Sequence, residues 1–335
     1  MSPKYTIIVP VYNVGQWVPD CLDSVLEQRF FDWECICVDD GSTDESGKVL
    51  DEYAARDSRF QVVHKENGGV SSARNAALDM ANGEWVVYID GDDLLSPDAL
   101  SIFEYILHNE PDAEMIHYEV RGFPENEPPH IDQRIEDFPI TTIQDRGEIF
   151  GRVCGVCFPV YGYKRGLVGD IRFEEYKIGE DRLYLAKCLA RCRRLAYCRA
   201  VGYLCRRRMG SALRSVETLV KFRDEIHSKL EMLRESLRYN ANLSKATKRT
   251  LVCIITEHAL SNIDRLDAKA DVCRAWDVWF DVLGQIPRPA LATIYQKCAV
   301  YVLLKTKSRW LGRVLCIWPH KIKLVRTGLK KKWHR

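Results

Sequence analysis

Asp90-Gly91-Asp92-Asp93 puts three carboxylates directly after an apolar run, Trp85-Val86-Val87-Tyr88-Ile89. The run reads as a buried strand, so the acids leave it together at its C-terminal edge. Like charges this close repel one another unless a cation neutralises them. Carboxylates without Cys or His neighbours suit a hard divalent ion, Mg²⁺ or Mn²⁺, and such an ion commonly holds a diphosphate. A solvated acidic turn is the alternative for an Asp-x-Asp taken alone. Three other turns carry comparable residues: Pro10-Val11-Tyr12-Asn13, Asp39-Asp40-Gly41-Ser42 and Lys65-Glu66-Asn67-Gly68-Gly69. No Walker-type Gly-Lys-Ser/Thr loop occurs, which argues against a P-loop nucleotidase. No Gly-x-Gly-x-x-Gly follows the first strand, which argues against a dehydrogenase.

Each of these turns follows an expected strand. Tyr5–Val11, Trp33–Val38, Phe60–His64, Glu84–Ile89 and Ala113–Val120 are apolar or β-branched runs. Between them lie helical patterns. One spans Gly15–Gln28, with Trp17, Val18, Cys21, Leu22, Val25 and Leu26 on one stripe. A second is capped by Ser42 or Thr43 and runs to Arg56. A third begins at Ser71 or Ser72 and reaches Ala81, and a fourth is opened by Pro97 and ends near Asn109. Strands separated by single helices predict an α/β fold, a mostly parallel sheet with helices on both faces. Right-handed crossovers then bring every strand's C-terminal end to one edge, where ligands bind. The four turns therefore share one crevice.

Residues 121–150 break the pattern with Pro124, Pro128, Pro129 and Pro139, as a mobile loop or an edge excursion would. Short apolar stretches return over 151–213. After Glu217, Leu219, Phe222, Ile226, Leu230, Leu233 and Leu237 keep helical spacing, and two later stripes do the same. The chain is thus expected to comprise an α/β part over 1–120, a less regular second part over 121–215, a helical region over 216–299 and a basic tail over 300–335.

The 335 residues suffice for two domains or for one α/β domain with an extension. A hydrophobic content of 46% is that of an ordinary soluble protein. The net charge of +2 hides an asymmetry: no Asp or Glu follows Asp281, whereas 13 of the 49 Lys and Arg do. An acidic body therefore precedes a strongly basic end. The 13 cysteines, odd in number and irregular in spacing, fit reduced thiols better than a disulfide framework. Cys154-Gly155-Val156-Cys157 lacks both a second zinc half-site and the strand-to-helix setting of a redox motif. Met1-Ser2-Pro3-Lys4 leads into a strand without a secretory signal. No apolar run approaches the roughly 20 residues that span a membrane, so a cytoplasmic location is expected.

Ile8-Val9-Pro10-Val11-Tyr12-Asn13, Val38-Asp39-Asp40-Gly41-Ser42-Thr43-Asp44, Asn67-Gly68-Gly69-Val70-Ser71-Ser72-Ala73-Arg74-Asn75 and Ile89-Asp90-Gly91-Asp92-Asp93 resemble, in order and spacing, family 2 of the glycosyltransferases. The likeness is to the bacterial surface-polysaccharide type. It covers residues 5–95 and continues more thinly through Gly179-Glu180-Asp181 and Cys205–Ser211. The resemblance implies an inverting enzyme with a GT-A fold. It implies that Asp39 accepts a hydrogen bond from a uracil ring and that Pro10, Tyr12 and Asn13 line the nucleoside pocket. Arg74 would face the nucleotide and the acids. Asp90 and Gly91 would lie beside the donor, and Asp92 would bind the metal.

Glu180-Asp181 resembles the family's acidic pair, whose second member is the base; Glu180 would then position the acceptor or Asp181. Asp181 also opens an expected helix to Leu189, where a helix-capping role is the alternative. Arg206 and Arg208 alternate on an expected strand, so one of them reaches the diphosphate or both form a solvated basic edge. The Trp-Asn-Lys-like segment of many relatives is replaced here by Pro159–Arg165, which leaves Tyr161 or Tyr163 to supply an aromatic to the acceptor site.

The expected activity is transfer of a hexose or N-acetylhexosamine from a nucleotide-diphosphate sugar, UDP-linked, to a hydroxyl of a glycan or lipid-linked acceptor, with Mn²⁺ or Mg²⁺. A sugar-phosphate nucleotidyltransferase and a catalytically silent binding protein of the same fold are the competing classes. In the tail, Leu303, Leu304, Trp310, Leu311, Val314, Leu315 and Trp318 fall on one helical face beside dense Lys and Arg. Such a helix either lies in an anionic membrane interface or packs on the protein. No nucleic-acid motif accompanies it.

Overall fold

The computed structural model describes residues 2–125, 127, 130–145, 149, 158–207, 219–239 and 278. Four strands form one half of the sheet: β1 (Tyr5–Val11), β2 (Trp33–Asp39), β3 (Phe60–His64) and β4 (Trp85–Tyr88). They pair in parallel in the order β3-β2-β1-β4, with Ile8 beside both Ile36 and Tyr88. β2 and β4 are buried along their whole length, as continuous apolar strands covered on both faces should be. Within this core Cys21, Cys35 and Cys37 are buried thiols.

The intervening helices are α1 (Val18–Leu26), α2 (Ser46–Arg56), α3 (Val70–Met80) and α4 (Ala99–Asn109). Two of them start later than their patterns predict, and for one reason. The backbone N–H groups of the expected first turns are taken by side chains, two of them across the crevice and one three residues back. Gly15 N–H donates to Asp44 Oδ2 at 2.9 Å, Ser42 N–H to Asp39 Oδ1 at 2.9 Å and Thr43 N–H to Asn13 Oδ1 at 2.8 Å. α1 then begins with Pro19 in its first turn, where a missing N–H costs nothing.

The fifth expected strand, β6 (Met115–Pro124), does not lie beside β4. β8 (Tyr161–Lys164) comes between them, antiparallel to both. Beyond β6, β9 (Leu195–Arg207) runs parallel to it and pairs antiparallel with β5 (Leu94–Leu95) and β7 (Thr141–Ile143). The sheet is therefore mixed and nine-stranded, with its main strands parallel. Gly202 lets β9 pass the Tyr118 ring, since a Cβ there would sit 2.3 Å from Tyr118 Cδ1. α5 (Glu180–Arg191) precedes β9.

Residues 1–215 and 235–241 form one compact unit, and 216–234 with 242–335 a second. The expected helix after Glu217 is α6 (Leu219–Tyr239), in which Phe222, Ile226 and Leu230 are buried as the stripe predicts. The two later stripes, apart from Val278, and the basic tail lie outside the described residues. Among the described residues no helix is long and apolar enough to cross a membrane.

Candidate active site

The C-terminal ends of β1 and β2 deliver two loops that are stitched to each other. Asn13 sits in the left-handed region (φ 51°) and its Oδ1 accepts from Thr43 N–H and Oγ1–H, while Ser42 Oγ accepts from Asn13 N–H at 3.0 Å. Asn tolerates this backbone conformation better than most residues. Ser46 Oγ accepts from Val14 N–H at 3.0 Å. Tyr12 is left half exposed at the rim.

The adjacent acids Asp39 and Asp40 serve different ends. Asp40 is buried and holds the next loop: Lys65 Nζ donates to it at 2.5 Å, Gly68 N–H at 3.0 Å and Gly69 N–H at 2.7 Å. Asp39, also buried, accepts from Ser42 N–H and faces His64 Nδ1 across 3.0 Å. His64 Nε2 lies 2.9 Å from Asp51. Burial acts to raise the Asp39 carboxyl, and the hydrogen bonds from Ser42 and His64 outweigh it, so it titrates below its ordinary value. The bonds to Asp39 and then Asp51 raise His64 above its ordinary value.

At the end of β4 the acids separate by burial. Asp93 is buried and accepts from Tyr203 Oη–H and from Arg206 N–H, each at 2.7 Å. Tyr203 Oη also accepts from Asp90 N–H at 3.3 Å, which closes the turn onto β9. Gly91 fits under Pro10, because a Cβ there would meet Val14, Pro10 O and Val11 within 3.3 Å. Burial, followed by the charges of Asp90 and Asp92, pushes Asp93 up to about 8. Asp90 and Asp92 remain partly exposed. Among the described residues no group of three or more His, Cys, Asp or Glu side chains is placed to hold a metal ion. A hard ion held by one or two carboxylates and completed by phosphate oxygens needs no such group, and the negative field that Asp93 senses suits a cation.

Arg74 joins this turn to α5. Its Nη2–H donates to Asp90 Oδ1 at 2.8 Å and its Nη1–H to Glu180 Oε1 at 3.1 Å. The guanidinium is buried, lies 5.1 Å from the Phe158 ring centre and 5.3 Å from that of Phe173, and its Nε–H finds no acceptor among the described residues. Burial opposes its charge, while Asp90 and then Glu180 hold the proton on. Ser71 and Asn75 flank Arg74 on the same face of α3. Ser71 Oγ–H donates to Glu174 O at 2.7 Å, and Asn75 bonds the backbone of Phe173 in both directions, at 2.9 and 2.8 Å. One helix face thus grips the segment that leads to Glu180 and Asp181. These two are the first residues of α5, after Gly179 at φ 87°, where a helix N-terminus favours negative charge. Burial and then Asp181 raise the Glu180 carboxyl, against the pull of Arg74.

Asp39, Asp90, Gly91, Asp92, Pro10, Tyr12 and Asn13 follow the β1, β2 and β4 ends as expected, and Arg74 links that edge to Glu180. Tyr161 and Tyr163 are buried on β8 in an aromatic cluster, Tyr163 Oη–H donating to Phe158 O at 3.1 Å, so both rings pack rather than line an open surface. Arg206 is buried as well. It donates to Asp92 O, Glu125 O and Asp20, which makes it a tie between the Asp90–Asp93 turn, β6 and α1. Arg208 lies outside the described residues. Residues that the pattern did not single out are His64, Asp51, Asn75 and Tyr203. Strand register places His64 opposite Asp39 at the ends of β3 and β2.

Residues 6–172 match the family described as glycosyl transferase family 2; Asp39, Arg74 and Asp90–Asp93 fall inside the match, and Glu180 and Asp181 beyond it. The chain is 47% identical over 96 residues to the uncharacterized glycosyltransferase EpsJ of Bacillus subtilis, 29% of this chain and 28% of that protein. It is 27% identical over 302 residues to the glycosyltransferase GlyG of Streptococcus pneumoniae, 84% of this chain and 97% of that one. The fold matches S. aureus TarS 1-349 in complex with UDP-GlcNAc with a TM-score of 0.75 at 21% identity, over 95% of this chain and 92% of that one.

Proposed function

Because the chain belongs to glycosyl transferase family 2 and has the GT-A fold, we propose that it moves a hexose or N-acetylhexosamine, with inversion, from a UDP-linked donor to a hydroxyl of a glycan or lipid-linked acceptor. The single observation that carries this reading is the Arg74 bridge, which sets the Asp90 turn and the Glu180-Asp181 pair against one cation.

In this reading Asp39 accepts the N3–H of uracil, and the half-exposed Tyr12 ring borders the base. Asp92 would hold Mn²⁺ or Mg²⁺ beside Asp90, and a bound divalent ion offsets charge that builds on the leaving diphosphate. Asp181 takes the proton of the acceptor hydroxyl as its oxygen attacks the anomeric carbon from the face opposite UDP. Glu180 and Arg74 fix that base relative to the donor. The buried Arg74 Nε–H supports a ligand oxygen nearby, since an unmet donor of this kind is costly. Reaction at the cytoplasmic face of a membrane, with the basic tail 300–335 on anionic lipid, is part of the same proposal. Salt-sensitive sedimentation with anionic vesicles, lost on deleting that tail, is the measurement for it.

The test of the reaction is release of UDP from UDP-Glc, UDP-Gal and UDP-GlcNAc with Mn²⁺, in wild type and Asp181→Asn. One donor should be consumed, and the variant should lose turnover by about 10²–10⁴-fold while keeping its affinity for UDP. Equal turnover by Asp181→Asn would remove the assigned base.

A further inference from the structure

His64 stands between two carboxylates, one of them the acid assigned above to the base. Its Nδ1 is 3.0 Å from Asp39 Oδ2 and its Nε2 is 2.9 Å from Asp51 Oδ1. Both partners are acceptors only, so both ring nitrogens must donate and the ring is an imidazolium. The neighbouring α2 helix leaves space for the pair: a Cβ on Gly47 would lie 2.8 Å from Asp39 Oδ2 and 3.4 Å from His64 Cε1. The missing side chain at Gly47 keeps the Asp39–His64 contact open.

We propose that His64, oriented by Asp51, is a positioning residue that sets base selectivity by locking the Asp39 carboxylate as an ionised, acceptor-only group. This rests on Asp39 reading the base. An ionised carboxylate held with an oxygen toward the base accepts from the N3–H of uracil and repels the N3 lone pair of cytosine, whereas a rotated carboxylate no longer presents that acceptor and loses the distinction. The raised proton affinity of His64 agrees with this geometry. Asp39 from β2 and Asp51 from α2 are the charged groups that face the ring. When the ring deprotonates as pH rises through its raised titration range, one of the two carboxylates meets a lone pair instead of an N–H, and the lock weakens.

The experiment measures dissociation constants of UDP and CDP with Mn²⁺ from mildly acidic to mildly alkaline pH, for wild type, His64→Asn, Asp51→Asn and Asp39→Asn. The UDP-to-CDP ratio cancels titration of the phosphates, which the two ligands share. Wild type should prefer UDP, with the preference falling as pH rises through the titration range of His64. His64→Asn should lose about tenfold of the ratio, the size of one charged hydrogen bond, and should lose its pH step. Asp51→Asn, changed at a well exposed side chain, should move that step to lower pH while leaving the melting temperature close to wild type. If Asp39→Asn abolishes selectivity but the His64 and Asp51 variants match wild type at every pH, the proposal is overturned and the reading of Asp39 stands. If Asp39→Asn leaves selectivity unchanged, the reading of Asp39 falls first.

Discussion

Asp90 and Glu180, far apart in the sequence, are bound to the two terminal nitrogens of one guanidinium, at 2.8 and 3.1 Å. The fork geometry makes this an arginine position, because a lysine ammonium cannot span both carboxylates with planar bonds. Arg74 and Glu180 are buried and Asp90 is partly exposed, so the two buried partners depend on each other for compensation of charge.

Arg74→Lys should therefore destabilise the protein by up to about 3–5 kcal/mol, the range for leaving a buried charge unpaired. Adding Glu180→Gln should recover part of that loss, because the orphaned carboxylate becomes a neutral amide. Denaturant melts of the two variants measure both effects; an unchanged Arg74→Lys midpoint would contradict the buried bridge.

Asp92→Ala should abolish the Mn²⁺ dependence of UDP-sugar binding along with most turnover, and chelation of wild type should have the same effect. Isothermal titration with and without metal reads both. Asp93→Asn should instead lower the melting temperature, since Asp93 accepts from Tyr203 and Arg206 inside the fold.

Stability should follow pH through Asp39 and His64, whose shifts have opposite sign. The folded Asp39 carboxyl titrates below its ordinary value, so its contribution is complete above an unfolded value of about 3.9 and is lost as pH falls through the folded one. The folded His64 ring titrates above its ordinary value. Its contribution is complete below about 6.5 and is lost as pH rises through the folded value. The melting temperature should then decline as pH rises above about 6.5, and His64→Asn should flatten that decline.

Tyr88 and Tyr184 link β4 to α5 through buried hydroxyls 2.8 Å apart, inside a cluster where Tyr184 stacks on Phe173 at 3.9 Å. Tyr88→Phe or Tyr184→Phe alone should cost about 1–2 kcal/mol by leaving the other hydroxyl unmet. The double replacement should cost less than the sum of the two, and a denaturant double-mutant cycle gives the coupling.

Much of this edge was legible in the sequence. The strands that carry Asp39 and Asp90 are continuous apolar runs followed by acidic turns, and such runs have few other places to go in an α/β chain. The helix starts were misread because Asn13 and Asp44 act across loops, which no local window contains. β8 escaped for a similar reason. Tyr161-Gly162-Tyr163-Lys164 is four residues long and pairs with strands far away in sequence on both sides. An aromatic there reads the same whether it lines a surface or fills a core, and the fold buries it. Asp39 and Asp40 are adjacent and alike, and the positions of Lys65, Gly68 and Gly69 mark Asp40 as the one that holds a loop.

β4 gains its second neighbour only from residues 161–164, and its acidic turn is closed only by Tyr203 and Arg206. During translation the apolar margin Trp85–Tyr88 therefore leaves the ribosome well before its cover does. At about 5–20 residues per second the gap lasts on the order of ten seconds, long enough for nascent chains on one message to pair through that margin. Slowed elongation between the codons for 88 and 207 should lengthen the exposure, so the yield of native enzyme becomes a matter of translation tempo and chaperone supply as well as of final stability.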